Sequence, residues 1–121
     1  MSDEQKKFRV KSGSTKAFAV KECTGAVYKK IKMAIAKYNA TPTNQRVAIL
    51  KEFGIVGDNV EDQKKKISEL KNEEYGVEKY YEQLVNILLI DPDGELEKIK
   101  FDDIILGEVN AASDYFFSFL K

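Results

Sequence analysis

The run Val77-Glu-Lys-Tyr-Tyr-Glu-Gln-Leu-Val-Asn-Ile-Leu-Leu-Ile90 restricts the fold more than any other part of the chain. Val77, Tyr81, Leu84 and Leu88 recur at steps of four, three and four, the spacing that lines one face of a helix. Tyr80, Val85, Ile87, Leu89 and Ile90 widen that stripe until little of the second half is left for water. A helix that is apolar on most sides has to be covered by other elements. The helix near 77–90 is therefore expected at the centre, with the rest of the chain packed around it.

The elements that could cover it are marked by local signals. Phe8-Arg-Val10 and Ala17-Phe-Ala-Val20 flank Ser12-Gly-Ser14, a pattern that predicts a small β-hairpin. Two strands alone are marginal in water, so the hairpin must lie on the helices. Thr24 is a good N-cap for a helix over 25–38, in which Val27, Ile31, Ala34, Ile35 and Tyr38 share a face. Residues 39–43 read as a loop, because Pro42 bars a continuing helix. A short helix is expected from Asn44 to Phe53, stopped by Gly54. Asp58, with Glu61 three residues on, could cap the next helix, whose apolar row runs from Val60 through Ile67 and Leu70. A helix break is expected at Asn72-Glu-Glu-Tyr-Gly76, since glycine in a helix interior costs about 1 kcal/mol.

Asp91-Pro-Asp-Gly94 is a strong turn signal and ends the central helix. Leu96, Ile99 and Phe101 make an apolar connector, and Asp102 could cap a turn through Ile104 to Leu106. Gly107 opens a last helix in which Val109, Ala112, Phe116, Phe119 and Leu120 share a face. The expected fold is mostly α in the α+β class: a small N-terminal β-hairpin followed by four or five helices. At 121 residues it forms one domain over 1–121, with 1–7 disordered.

Composition narrows the function classes. Lysine plus arginine and aspartate plus glutamate both number 20, a balance that argues against general nucleic-acid or membrane binding. The balance hides an asymmetry: residues 1–38 carry a net +7 and residues 39–121 a net −7. Either the two signs pair within one fold, or the chain associates head to tail, basic end onto acidic end. No run reaches the roughly 18 apolar residues of a membrane span. The single cysteine, Cys23, allows no internal disulfide and favours a cytoplasmic setting.

No histidine occurs, which removes Ser-His and Cys-His pairs and histidine-ligated metals. Cys23 has no base in view and is expected as a packed thiol. Aligning Gly94 with the glycine of an EF-hand loop puts Leu89 and Lys100 at the first and last ligand positions, so Asp91 to Gly94 is a turn and not a calcium site. The glycines of Gly54-Ile-Val-Gly57 have the spacing of a nucleic-acid-clamping loop, but the middle residues are apolar and Asp58 comes next, so a helix stop is expected. No catalytic, cofactor-binding or metal position is assigned, and the chain is expected not to be an enzyme. The cluster Tyr115, Phe116, Phe117, Phe119 and Leu120 holds more apolar area than one buried stripe needs. Either it packs into the core, or part of this face is offered to a protein partner.

Two stretches carry a resemblance of pattern. Phe8-Arg-Val10, a glycine turn and Val20-Lys-Glu-Cys-Thr24, running into a helix at Val27-Tyr28, is similar to the opening of the tail assembly chaperones of long-tailed bacteriophages. Phe101-Asp-Asp-Ile-Ile-Leu-Gly107, followed by Val109 to Leu120, resembles their acidic-apolar connector and closing aromatic helix. The likeness covers about half the chain. It implies a small, catalytically inert protein of the infected bacterial cytoplasm that coats the helical tape-measure protein, helps recruit tail tube subunits and then leaves. The resemblance supplies no catalytic positions, and the closing face (Phe116, Phe119, Leu120, with Tyr115 and Phe117) is the expected partner surface. The alternative is a structural virion or adaptor protein that stays in a homo-oligomeric or ring assembly.

Overall fold

In the computed structural model, which describes residues 6–38, 43–70 and 76–120, the chain opens with two short antiparallel strands. These are β1 (Lys7–Phe8) and β2 (Phe18–Ala19), with Phe8 opposite Phe18. Five helices come next: α1 (Gly25–Tyr38), α2 (Thr43–Glu52), α3 (Val60–Leu70), α4 (Val77–Leu88) and α5 (Leu106–Ser118). Two 3-10 turns, Leu96–Lys98 and Phe101–Asp103, stand between α4 and α5. The order is the expected one, a hairpin and then helices. Lys7, expected in a disordered start, instead pairs with Ala19. Residues 1–5 and the expected loop over 39–42 lie outside the described residues, and Thr43 already belongs to α2.

Local chemistry sets the helix ends. Val27 N–H donates to Thr24 Oγ1 at 3.3 Å, the expected cap of α1. Past α2, Gly54 has φ +70°, a left-handed conformation that glycine adopts without strain. The N–H groups of Gly54 and Ile55 return to the carbonyls of Lys51 and Leu50 at 3.0 and 2.9 Å, closing the helix. The cap of α3 is Asn59, not Asp58: Asn59 Oδ1 accepts from Asp62 N–H at 3.0 Å. Asp58 meets Lys51 at 2.8 Å, and this ammonium holds its carboxyl below the usual carboxylate range. Gly76, at φ +139°, precedes the first turn of α4, which gives the expected helix break; residues 71–75 are outside the described set.

Helix α4 is central. It packs against α1, α5 and both 3-10 turns, and Leu84, Val85 and Leu88 are fully buried. Its length departs from expectation. The helix stops at Leu88, and Leu89 is extended (φ −109°, ψ 150°) with its side chain still inside. Leu89 bridges Val20: Lys21 N–H donates to Leu88 O, and Ile90 N–H to Ala19 O, both at 2.9 Å. On the other side of the hairpin Lys11 bridges Ile104, with Ser12 N–H to Asp103 O at 2.7 Å and Ile105 N–H to Val10 O at 2.8 Å. Four extended segments thus run side by side in the order 89–90, 18–21, 7–12 and 103–105. The hairpin survives because both of its edges are paired and Phe8, Val10, Phe18 and Val20 enter the same core as Leu84, Leu88 and Phe116.

Side chains of α4 and of the turn after it organise the connector to α5. Glu82 accepts the N–H of Phe101 at 2.9 Å and holds the start of the second 3-10 turn; Asp102 lies inside that turn, and Ile104 and Ile105 are extended, so the turn expected from Ile104 to Leu106 does not form. Asp91 accepts from the N–H groups of Glu95 and Leu96 at 3.0 and 2.8 Å, as a turn aspartate does. A smaller cluster of Leu50, Val56 and Ile67, with Met33 and Val47 against it, joins α2 and α3 to the outside of α1. Part of the charge asymmetry resolves inside the chain: Lys16 meets Asp93 and Glu95, and Lys32 meets Glu52.

Two outcomes are expected from this packing. Leu84→Ala opens a cavity in the main core and should destabilise the protein by about 2–5 kcal/mol in urea unfolding; a loss below about 1 kcal/mol would contradict the central placement of α4. The second concerns Tyr80, whose hydroxyl is pushed up to about 12 by burial and by Tyr81 beside it, against an ordinary value of 10.0. Folding then favours the protonated phenol, so this contribution is intact below the ordinary value and lost as pH rises through about 12. In urea midpoints measured across that window, the natural protein should lose stability faster than Tyr80→Phe. Parallel curves would dismiss the effect.

Candidate partner-binding surface

The end of α5 is built from aromatic residues placed by one helical turn after another. Val109, Ala112 and Phe116 face inward and are buried, Phe116 at 0 % exposure. Phe116 was among the residues expected to face a partner; it is a core residue. The other members of the cluster take different positions. Tyr115 and Phe117 are half-buried flanks, Tyr115 with its ring 6.0 Å from Phe8 and Phe117 with its ring 6.2 Å from Tyr28. Phe119 and Leu120 project beyond the last turn and are 59 % and 53 % exposed. The expected single face from Val109 to Leu120 therefore divides after Phe116. The helix ends at Ser118, Phe119 adopts the C-cap position, and its N–H and that of Leu120 close the last turn on Phe116 and Phe117 carbonyls at 3.3 and 3.1 Å.

Rings link this tip to its surroundings. Phe119 stacks edge-on against Tyr115 at 5.0 Å, and Tyr28 stands edge-on between Phe117 and Phe53 at 6.2 and 5.9 Å. The Tyr28 hydroxyl donates to the Glu52 carboxylate, which raises the phenol above its ordinary range. Ammonium groups lie over the rings: Lys6 over Phe8 and Tyr115, Lys29 over Phe53, and Lys32 over Tyr28. Tyr28 and Lys32 are four residues apart on α1, a spacing that places one above the other and is visible in sequence. The approach of Phe53 and Lys6 to these rings depends on tertiary packing and has no local signal.

Two concavities are lined by other residues. An apolar groove of about 450 Å³ runs between α2 and α3, lined by Thr43, Val47, Val60, Gln63 and Ile67. Val60, expected in an inward row, is 58 % exposed at the edge of this groove. A cleft of about 670 Å³ lies where α4 gives way to its turn, beside Lys21, Asn86, Ile90 and Asp91. Its polar groups already serve the fold: Asp91 caps the first 3-10 turn, Lys21 Nζ donates to Asn86 O at 3.4 Å, and Asn86 Nδ2 donates to Glu82 O at 2.8 Å. Cys23 is half-buried against the main core, the expected packed thiol. Among the described residues no helix is long and apolar enough to cross a membrane.

No family model, curated protein or solved structure matches the chain.

The split of the cluster is testable by stability alone. Phe116→Ala should cost about 3–5 kcal/mol, whereas Phe119→Ala and Leu120→Ala should each change stability by about 0.5 kcal/mol or less. Denaturant unfolding of the three variants checks this; equal losses would place all three side chains in the core.

Proposed function

We propose that this chain is a non-enzymatic binding protein of the tail assembly chaperone kind, one that masks an apolar helical segment of a long tape-measure protein and helps recruit tail tube subunits. The observation that carries this reading is the pair Phe119 and Leu120, more than half exposed and continuous with the half-buried rings of Tyr115 and Phe117. Covering such side chains contributes about 25 cal/mol per Å² of apolar area removed from water. The opening hairpin, the Thr24-capped helix and the closing aromatic helix are the elements on which the resemblance rests. The setting in this reading is the infected bacterial cytoplasm.

A second reading is favoured by a different observation. The α2–α3 groove and the tip of α5 are two separate apolar features on one chain, which suits a head-to-tail structural or adaptor protein that assembles into rings or filaments. The two readings predict different things. For the chaperone, the DNA after the Lys121 codon should hold an overlapping frame in −1 phase and then a gene for a very long helical protein. The natural protein should also sediment as a monomer or small oligomer and bind fragments of that gene's product, with binding lost in Phe119→Ser/Leu120→Ser. Absence of such a gene, together with stable closed rings in sedimentation, would reject the chaperone in favour of the structural protein.

A further inference from the structure

We infer that the end of α5 docks an amphipathic helix whose apolar stripe is bordered by aspartate and glutamate side chains. This rests on the reading of that tip as the partner surface and adds the partner's charge. Successive residues of a helix are turned by about 100°, so with Phe116 pointing inward, Tyr115 and Phe117 lie on opposite flanks. On the Tyr115 flank, Lys6 Nζ stands 5.5 Å from the Phe8 ring centre and 5.8 Å from that of Tyr115. On the Phe117 flank, Lys32 and Lys29 each stand 5.9 Å from the ring centres of Tyr28 and Phe53. Ammonium groups thus accompany both flanks of the closing turn: Lys6 over the Tyr115 ring that Phe119 touches, Lys32 over the Tyr28 ring beside Phe117, and Lys29 over Phe53 beyond it.

Those cations are only partly satisfied by the chain itself. Among the described residues Lys6 and Lys29 make no ion pair, and Lys32 reaches Glu52 only at 3.9 Å. Among the described residues, Glu52 is already taken by the Tyr28 hydroxyl, and Asp114 precedes Tyr115 on α5. The carbonyl end of α5 adds partial negative charge at the tip itself. A partner's acids therefore suit the flanks, and its apolar side chains suit the tip. An uncharged partner would cover the flanking lysines without compensation, and a basic one would set ammonium against ammonium.

The test uses the full chain and three labelled helical peptides with one common leucine stripe, bordered by Glu, Gln or Lys, titrated by fluorescence anisotropy. At low salt the Glu peptide should bind roughly tenfold tighter than the Gln peptide, with the Lys peptide weakest, and the differences should shrink at high salt. Lys6→Glu/Lys29→Glu, both at solvated positions, should reverse the order, and Phe119→Ser/Leu120→Ser should abolish binding of all three. Equal binding of the three peptides, still lost in the serine variant, would overturn the charge inference and leave the docking surface standing. No peptide binding, or binding indifferent to the serine variant, would overturn the docking reading as well. Two controls assign the face elsewhere: capture by anionic phosphatidylserine vesicles with no peptide bound, or self-association removed by Lys6→Glu/Lys29→Glu. Either result overturns the helical partner.

Discussion

Burial of the last turn of α4 depends on backbone hydrogen bonds supplied by residues far upstream. A chain leaving a helix inside a core carries polar N–H and C=O groups that need partners, and lipid-like surroundings of leucine supply none. Here the partners are Ala19 and Lys21, which bond to Ile90 and Leu88 and let Leu89 stay fully buried in an extended conformation. The same hairpin uses its other edge to fix residues 103–105, from which α5 starts. The strands are trivial in length and yet set the directions of both the central and the closing helix.

This arrangement explains which parts of the fold were legible in sequence. The centre of α4 was, because Val77, Tyr81, Leu84 and Leu88 state a helical period directly. Its end was not, because Leu89 and Ile90 prolong the apolar run, and a buried strand and a buried helix look alike over two residues. The missing information was the location of the hydrogen-bond partner. Caps showed a similar division. Thr24 and Gly54 act through neighbours in the chain and are legible there, whereas the cap of α3 falls on Asn59 while Asp58 turns to Lys51, a residue of the preceding helix.

The aromatic cluster was legible as a cluster and not as an arrangement. Helical spacing groups Phe116 with Leu120, four residues on, but it carries no record of where the opposing wall ends. The wall ends between them, so one is core and the other tip. Val60 is the same case at the start of α3, apolar and in register but past the edge of α2. The charge asymmetry was equally visible in composition, and its resolution into the Lys16 and Lys32 pairs and the lysines over rings required the three-dimensional neighbours.

The two-sided pairing of the hairpin has a consequence for how the chain reaches its native state. Beyond the pairing of its two strands with each other, the hairpin over residues 7–21 finds its outer backbone partners far along the chain, at 88–90 and 103–105. Such long loop closures slow folding relative to a bundle of helices joined in sequence. Helices α1 to α3 can gather locally, but Phe8, Val10, Phe18 and Val20 complete their core only with Leu84 and Leu88 of α4 and Phe116 of α5. The hairpin therefore sets late, when the segments around 89 and 104 arrive to pair its two edges.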